Sequence, residues 1–407
     1  MRILFVHNFY GSEAPSGENQ VVKAEIELLT QRGHQVELFA RYSDDIRGKG
    51  VRGVIQGALA TPWNPFSVSA LRKKVADFQP DVVHAHNTFP LISPAIFPAL
   101  RGRTARVLTL HNYRLFCAAG VPLRDGLVCT ECLDKHHPGP ALLHGCYRGS
   151  RIATLPLAAS IGLHRLRGTW TQDVDAFIAL TEFQRATMSR AGLPADKVHI
   201  KPNFYPGYPE VVPWEARADK VVFVGRLSDE KGVRDLIKAW RQWGAAAPLL
   251  RIVGDGPLRA ELQNMAADGS VQFMGQLDSA AAQAEIANAR LLILPSVCFE
   301  GFPMVVREAF AYGTPVAVSR LGALPSIVRD GACGALFNPA DYVSLLTEVR
   351  LLWERPNTLH TLAAAARSEF ESCYTEAMNY RILMDIYQRA ISTSSTSPAA
   401  SAVSQQR

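Results

Sequence analysis

Short, continuously apolar runs recur along this chain, separated by stretches with helical spacing, and no other feature restricts its fold as much. In the first half the runs are Ile3–Val6, Val36–Ala40, Asp81–His86, Val107–His111, Ala176–Leu180 and Val198–Lys201. In the second half they are Val221–Val224, Leu249–Val253, Val271–Met274, Leu291–Pro295 and Pro315–Val318. A strand with one wet face alternates apolar and polar residues, whereas a strand covered on both faces does not. Continuous runs therefore predict parallel strands buried under helices, and Glu18–Arg32 and Gly232–Trp243 have the spacing of such helices. Strand–helix alternation in both halves predicts an α/β fold of two doubly wound, Rossmann-like domains. A chain of 407 residues suits two domains of roughly 150–200 residues each better than one.

The Pro/Gly-rich stretch Pro202-Asn203-Phe204-Tyr205-Pro206-Gly207-Tyr208-Pro209 marks the expected boundary. It gives a first domain over residues 1–204 and a second over 205–375. Glu376–Ala390 reads as a helix, and from about Ser392 to residue 407 the Ser/Ala/Gln-rich tail has little to bury and is expected to be disordered. No stretch reaches the ~18–20 apolar residues that span a bilayer. The start, Met1-Arg-Ile-Leu-Phe-Val-His7, is too short for a signal peptide and reads as a buried strand. Seven cysteines, an odd number without an export signal, point to a reducing cytoplasm rather than a disulfide framework. The net charge of +6 is uneven: roughly +8 up to Phe204 and roughly −2 beyond it. The first half is therefore expected to meet an anionic partner: a membrane surface, nucleic acid or a phosphorylated substrate.

Open α/β sheets bind ligands beyond the carboxyl ends of their strands, so the residues that follow each run carry the function. Leu291–Pro295 is followed by Glu300-Gly301-Phe302-Pro303-Met304-Val-Val-Arg-Glu308. Gly301 and Pro303 fit a loop and the first turn of a helix, whose amides from Phe302 to Val305 would point at an anion such as a diphosphate. Glu300 and Glu308 lie about two helical turns apart. Carboxylates accept hydrogen bonds from hydroxyls, so this pair suits a sugar at one end and a ribose at the other. Val221–Val224 is followed by Gly225-Arg226-Leu-Ser-Asp-Glu-Lys231-Gly232. An Arg fork and a Lys point charge at a helix start form a diphosphate clamp.

These two motifs, in this order and each after a strand, resemble family 4 retaining glycosyltransferases of the two-Rossmann, GT-B type. The Gly254-Asp-Gly256-Pro turn, the Pro202-Asn203 linker and Phe273-Met-Gly275 fit as well. So do Pro15-Ser-Gly17-Glu18, Pro80-Asp-Val-Val-His84-Ala-His86-Asn87 and Thr109-Leu-His111-Asn-Tyr-Arg114, a set most similar to enzymes that build bacterial surface and exopolysaccharides. The resemblance implies two domains facing a cleft, with the C-terminal helix joining the first. It implies a nucleotide-sugar donor, with Arg226 and Lys231 on the diphosphate, Glu308 on the ribose and Glu300 on the hydroxyls of the transferred sugar. Gly254, Gly301, Phe302, Pro303 and Met304 would line the donor. Gly17 would let the first-domain loop approach the diphosphate, although Ser16 stands where the family often has another glycine. His111 would face the transferred sugar, and His86, Asn87 and Arg114 would serve the acceptor. That acceptor would be a lipid-linked saccharide, with the enzyme peripheral at the inner face of the cytoplasmic membrane and without nucleic acid as a partner.

No catalytic metal is expected, because Arg226, Lys231 and the helix start can neutralise the leaving diphosphate. Asp173-Val-Asp175 matches a divalent-cation pattern but precedes an apolar run instead of following one, so it reads as a chance match. Cys117, Cys129, Cys132 and Cys146 cluster around a Cys-x-x-Cys core behind a turn at Asp125-Gly126, which makes a structural zinc an open possibility beside free thiols. Arg151–Trp170 mixes basic and apolar residues, so it could lie on a bilayer or simply pack as a helix. A non-hydrolysing sugar-nucleotide epimerase and a non-catalytic nucleotide-sugar-binding protein remain as alternatives. A dehydrogenase is disfavoured, since no run is followed by Gly-x-Gly-x-x-Gly.

Overall fold

Buried apolar strands pair in parallel throughout both main sheets, as continuous runs require. In the computed structural model, which describes residues 1–11, 16–266 and 269–395, the first strands are β1 (Arg2–Phe9), β2 (Gln35–Tyr42), β3 (Val82–Asn87) and β4 (Ala105–Thr109). A two-stranded ribbon, β5 (Leu123–Arg124) with β6 (Leu127–Val128), follows, and β7 (Ala176–Ala179) and β8 (Val198–Ile200) complete the first sheet. Its order is β2-β1-β3-β4-β7-β8. The second sheet holds β9 (Lys220–Val224), β10 (Leu249–Val253), β11 (Val271–Gly275), β12 (Leu291–Leu294), β13 (Val316–Ser319) and β14 (Gly334–Phe337), in the order β11-β10-β9-β12-β13-β14. All pairings in both sheets are parallel.

The chain divides into two units, the first made of Met1–Pro122, Thr130–Pro202 and the residues from Asn379 onward, the second of Leu123–Cys129 and Asn203–Met378. Each has its own core. In the first, Ile3, Phe5, Val82, Val107 and Ile178 of the sheet pack with Val22 and Leu29 of the helix Gly17–Gln31 and with Leu383, Ile386 and Tyr387 of the helix Glu376–Ser395. In the second, Val221, Phe223, Ile252 and Ile293 pack with Leu236, Ile237 and Trp240 of the helix Val233–Trp243. Asp125 and Gly126 both take positive φ between β5 and β6, as a two-residue hairpin loop demands.

The order of strands fixes where a ligand can enter. The first strand of a sheet has neighbours reached by connections that leave in opposite directions, and a crevice opens between them at the carboxyl ends. That point lies between β1 and β3 in the first unit and between β9 and β12 in the second. The C-terminal helix continues through Ser395, past the expected tail start at Ser392, with Ser392 and Thr393 hydroxyls bonded back to the Gln388 and Arg389 carbonyls. Residues 396–407 of the expected tail, and Pro15 of the first-domain motif, lie outside the described residues.

Candidate active site

In the second unit the loops leaving β9 and β12 meet at the predicted crevice. Two glycines permit the close approaches here, one between the loops after β10 and β9 and one between those after β9 and β12. Gly254 (φ +129°) sits so close to Gly225 that a Cβ would strike the Gly225 carbonyl, and Gly232 (φ +66°) likewise abuts the Pro295 carbonyl. No L side chain fits at either place without moving backbone. The Val297 amide also donates to the Glu230 carbonyl at 2.9 Å, tying the loops together.

This arrangement places Lys231 against Glu300. The Lys231 ammonium donates to Glu300 Oε1 at 2.7 Å, and the Ser296 hydroxyl donates to the same oxygen at 2.6 Å. Burial works against the Glu300 charge, but the Lys231 charge and the two hydrogen bonds outweigh it and hold the carboxyl below its usual range. Burial likewise works against Lys231, and Glu300 overrides it and raises the ammonium above its ordinary value. Arg226 is exposed, and its guanidinium makes no hydrogen bond or ion pair with a described residue. The helix Met304–Ala311 starts here with Pro303 as its N-cap, one residue later than its first-turn assignment from sequence, and no side chain caps its first amides. The Val306 amide turns back to the Pro303 carbonyl at 3.1 Å, while those of Met304 and Val305 meet no described acceptor and can face an anion. Phe302 is buried beneath the turn against Tyr374. The Asn203 amide donates to Met304 Sδ at 3.5 Å.

Glu308 lies little more than one turn inside that helix, since Glu300 stands in the preceding loop. Burial raises its carboxyl above the usual range, against the Arg307 guanidinium 3.4 Å away. Arg307 also donates to the Phe204 carbonyl. Glu308 therefore keeps acceptor capacity beside a fixed cation.

In the first unit, His86, Asn87, His111 and Arg114 line one pocket, together with Phe89 and Trp170. His86 and Asn87 end β3, and His111 follows β4, whose strand ends at Thr109 rather than at His111. Asn87 is locked by its amide to the Asn8 carbonyl at 3.0 Å, and Arg114 lies over the Phe89 ring at 4.6 Å. Burial pushes His111 down to about 3, helped by the charges of His7 and Lys201, so its ring is neutral at neutral pH. Gly17 opens the helix Gly17–Gln31, which Ser16 caps through its hydroxyl to the Asn19 amide.

Several polar groups behind this pocket carried no role in the sequence reading. His84 is held by Tyr387 Oη and Thr109 Oγ1, each at 2.7 Å. Glu25 is fully buried and ion-paired with Lys201 at 2.5 Å. Glu18 is pushed up to about 8 by burial, against Arg114 and a hydrogen bond from Tyr10. One signal was present for Glu25. It occupies a core position of its helix, flanked by buried Val21, Val22, Leu28 and Leu29.

Other residues singled out in the sequence are engaged elsewhere. Asp175 takes a two-pronged ion pair from Arg106 at 2.8 and 2.9 Å, and Asp173 is paired with Arg101. Both carboxylates are thus committed to structural cations. Among the described residues only Glu25, His84 and His86 bring three potential ligand atoms within 4.8 Å of one another. Cys117, Cys132 and Cys146 do not, so as placed they do not fit a tetrahedral zinc site with Zn–S bonds of ~2.3 Å. Burial pushes the Cys117 thiol up.

A family model described as Glycosyltransferase Family 4 matches residues 15–206, and one described as Glycosyl transferases group 1 matches residues 218–355. The chain belongs to the family 4 glycosyltransferases of GT-B fold. Among relatives, the sulfoquinovosyl transferase SQD2 of Arabidopsis thaliana is 26% identical over 332 residues, covering 78% of this chain and 58% of that protein. This family 4 chain thus spans little more than half the length of that relative. A phosphatidyl-myo-inositol mannosyltransferase of Mycobacterium leprae is 25% identical over 413 residues, covering 96% of this chain and 98% of that one. Anabaena Alr3699/HepE, in complex with UDP and glucose, superposes with a TM-score of 0.64 at 17% identity, covering 95% of this chain and 100% of that one. At that identity the likeness establishes the fold.

The family 4 chain also exposes apolar side chains on two helices of its first unit. The helix Gly50–Ala60 buries Gly53, Gly57 and Ala60 and exposes Val51, Val54, Ile55 and Leu59. The helix Arg151–Leu166 meets the segment beyond it through Ser160 Oγ to the Thr61 carbonyl and His164 Nε2 near the Pro62 carbonyl. That helix exposes Ile152, Leu155 and Leu166, and Phe66 is 84% exposed. No helix among the described residues is long and apolar enough to cross a membrane.

Proposed function

We propose that the protein is a retaining glycosyltransferase that moves a sugar from a nucleotide-sugar donor to a lipid-linked saccharide in cell-surface polysaccharide synthesis. One observation carries this reading. Lys231, Ser296 and Glu300 form a hydrogen-bonded, charged triad just before the uncapped start of the helix Met304–Ala311, and Arg226, five residues before Lys231, is exposed and unengaged by any described residue. Two cations and free helix amides suit a diphosphate, and a fixed carboxylate suits the hydroxyls of the sugar attached to it. Glu308 then takes the ribose.

Developing negative charge on the leaving diphosphate is stabilised by Arg226 and Lys231, whose positive charge needs no reorganisation at the moment of reaction. Same-face displacement places the acceptor hydroxyl next to that diphosphate, which receives its proton. His111 faces the transferred sugar, while His86, Asn87 and Arg114 serve the acceptor, and Gly17 gives the diphosphate room. The mannosyltransferase relative acts, by its name, on a phosphatidyl lipid. That supports a lipid-borne acceptor here. The exposed apolar residues of the helices Gly50–Ala60 and Arg151–Leu166, beside Lys49, Arg52, Arg151 and Arg167, support docking on the inner, anionic face of a membrane.

The test is a donor screen. UDP-glucose, UDP-galactose, UDP-N-acetylglucosamine and GDP-mannose are each incubated with the protein, and slow donor hydrolysis is followed by release of nucleoside diphosphate. Hydrolysis of one donor, abolished in Glu300→Ala, is expected. Tight nucleotide binding without hydrolysis or transfer would instead mark a non-catalytic binding protein.

A further inference from the structure

The buried polar row of the first unit contains one feature that sugar transfer as proposed does not use. His86 Nδ1 lies 2.9 Å from His111 Nε2. On the other side of the same ring, His86 Nε2 and Glu25 Oε2 stand 3.6 Å apart. Both atoms are buried, and neither has a hydrogen-bond partner among the described residues. The second oxygen of Glu25 accepts from Lys201 Nζ at 2.5 Å. Glu25 and Lys201 are fully buried and His86 nearly so.

Protons in this row are constrained. A carboxylate paired with a lysine offers only lone pairs. If His86 also turned a lone pair toward Glu25, two acceptors would face each other in a dry interior, which is costly. The two orphaned atoms complement each other only when His86 carries its hydrogen on Nε2. Its Nδ1 is then an acceptor, so the 2.9 Å contact requires His111 to donate from Nε2. His111 Nδ1 is left without hydrogen and without a described protein partner. Burial first, and neighbouring charges second, hold both rings neutral, so each carries one ring hydrogen.

We propose that Glu25, anchored by Lys201, is a positioning residue that acts through His86 to fix His111 in the tautomer whose Nδ1 accepts a hydrogen bond, and that this nitrogen receives a hydroxyl of the transferred sugar. The second half rests on the sugar-facing role proposed above for His111; the first half does not. A divalent cation among Glu25, His84 and His86 is a poorer reading. Lys201 already balances the Glu25 charge, and both nitrogens of His84 are already hydrogen-bonded.

The experiment reads tautomers directly. The full chain, labelled with 15N-histidine, is examined at neutral pH by two-bond nitrogen–proton correlation, with His86→Gln and His111→Gln used for assignment. Protonation at Nε2 on both rings is expected. In Glu25→Gln the amide oxygen faces Lys201, and the NH2 donates to His86 Nε2. The donors then reverse, and His111 is protonated at Nδ1. A wild-type His111 protonated at Nδ1, or unchanged tautomers in Glu25→Gln, overturns the positioning role. Should Glu25→Gln fail to fold, the wild-type tautomers alone decide. With whichever of the four nucleotide sugars turns over, kcat in Glu25→Gln is expected to fall about five- to tenfold, the worth of one neutral hydrogen bond. An undiminished rate with reversed tautomers overturns the catalytic half. If no donor turns over, the sugar-facing role of His111 fails while the tautomer result still stands.

Discussion

Lys231 Nζ and Glu300 Oε1 are 2.7 Å apart, and each is the main counter-charge of the other. Their side chains are only 24% and 11% exposed, so solvent screens the pair far less than an ordinary surface ion pair. A double-mutant cycle of Lys231→Ala and Glu300→Ala, read by urea unfolding, is expected to give a coupling of about 1–3 kcal/mol. Values of ~0.5 kcal/mol or less are those of exposed pairs and would place the two side chains in open solvent.

Arg226 has no such partner among the described residues, so its removal is expected to cost the fold little. Arg226→Ala is expected to unfold at the wild-type temperature yet lose more than about 10²-fold in kcat, as when a group stabilising developing charge is deleted. Full activity in this variant removes Arg226 from the mechanism.

Glu308 makes a different prediction, because a ribose contact is equally strong before and during reaction. Glu308→Ala is expected to weaken nucleotide binding about tenfold or more, with kcat nearly unchanged. Calorimetric titration with UDP and GDP checks this, and unaltered affinity for both sinks the ribose role.

Leu59 and Phe66 point into water, 73% and 84% exposed, where burial against lipid is worth up to ~1.5–3 kcal/mol for a large apolar side chain. The protein is expected to float with vesicles containing phosphatidylglycerol and to stay behind with phosphatidylcholine alone. Leu59→Asp and Phe66→Ser are each expected to cut the bound fraction severalfold without shifting the melting temperature. Equal flotation of these variants rejects the surface.

Acid should loosen the first unit. Burial lowers His7 to about 4 and His111 to about 3, and it lowers His84 and His86 well below their ordinary value. Between those values and 6.5 the unfolded chain holds protons that the fold refuses. The stabilisation is therefore complete above pH 6.5 and lost as the pH falls toward the folded values, by up to ~1.4 kcal/mol per pH unit for each ring. Glu18, raised to about 8, works oppositely: the fold keeps a proton that the unfolded chain has released, which adds stability as the pH falls through 8. Four rings outweigh one carboxyl, so thermal unfolding is expected at a lower temperature at about pH 5 than at about pH 7. Equal melting temperatures would contradict the neutral, buried row.

Legibility from sequence followed the strength of local signals. Long apolar runs such as Leu249–Val253 appear as strands with the same ends, because burial on both faces leaves little choice of residue. The short strand Gly334–Phe337 went unread, for its four residues begin on the last glycine of a Gly331-Ala-Cys-Gly334 stretch that looks like a turn. The candidates Arg226, Lys231, Glu300 and Glu308 stand out in the sequence because each lies near a strand end in a motif. Ser296 and Lys201 do not. Their importance comes from partners 4 and 176 positions away, and spacing alone cannot show which carboxylate a chain will bring to a given hydroxyl or ammonium.

The C-terminal helix has a consequence for how the molecule is made. Leu383, Ile386 and Tyr387 complete the core around the first sheet, and Tyr387 closes one side of His84. A ribosome thus delivers the opening strands long before the side chains that cover them. The unit begun first is the last to be finished, after the one encoded in the middle of the message. Nascent chains interrupted near residue 378 should therefore hold a settled second half beside an unsettled first. Quality control during synthesis would meet its weakest point at the amino-terminal end, although the missing piece is at the other.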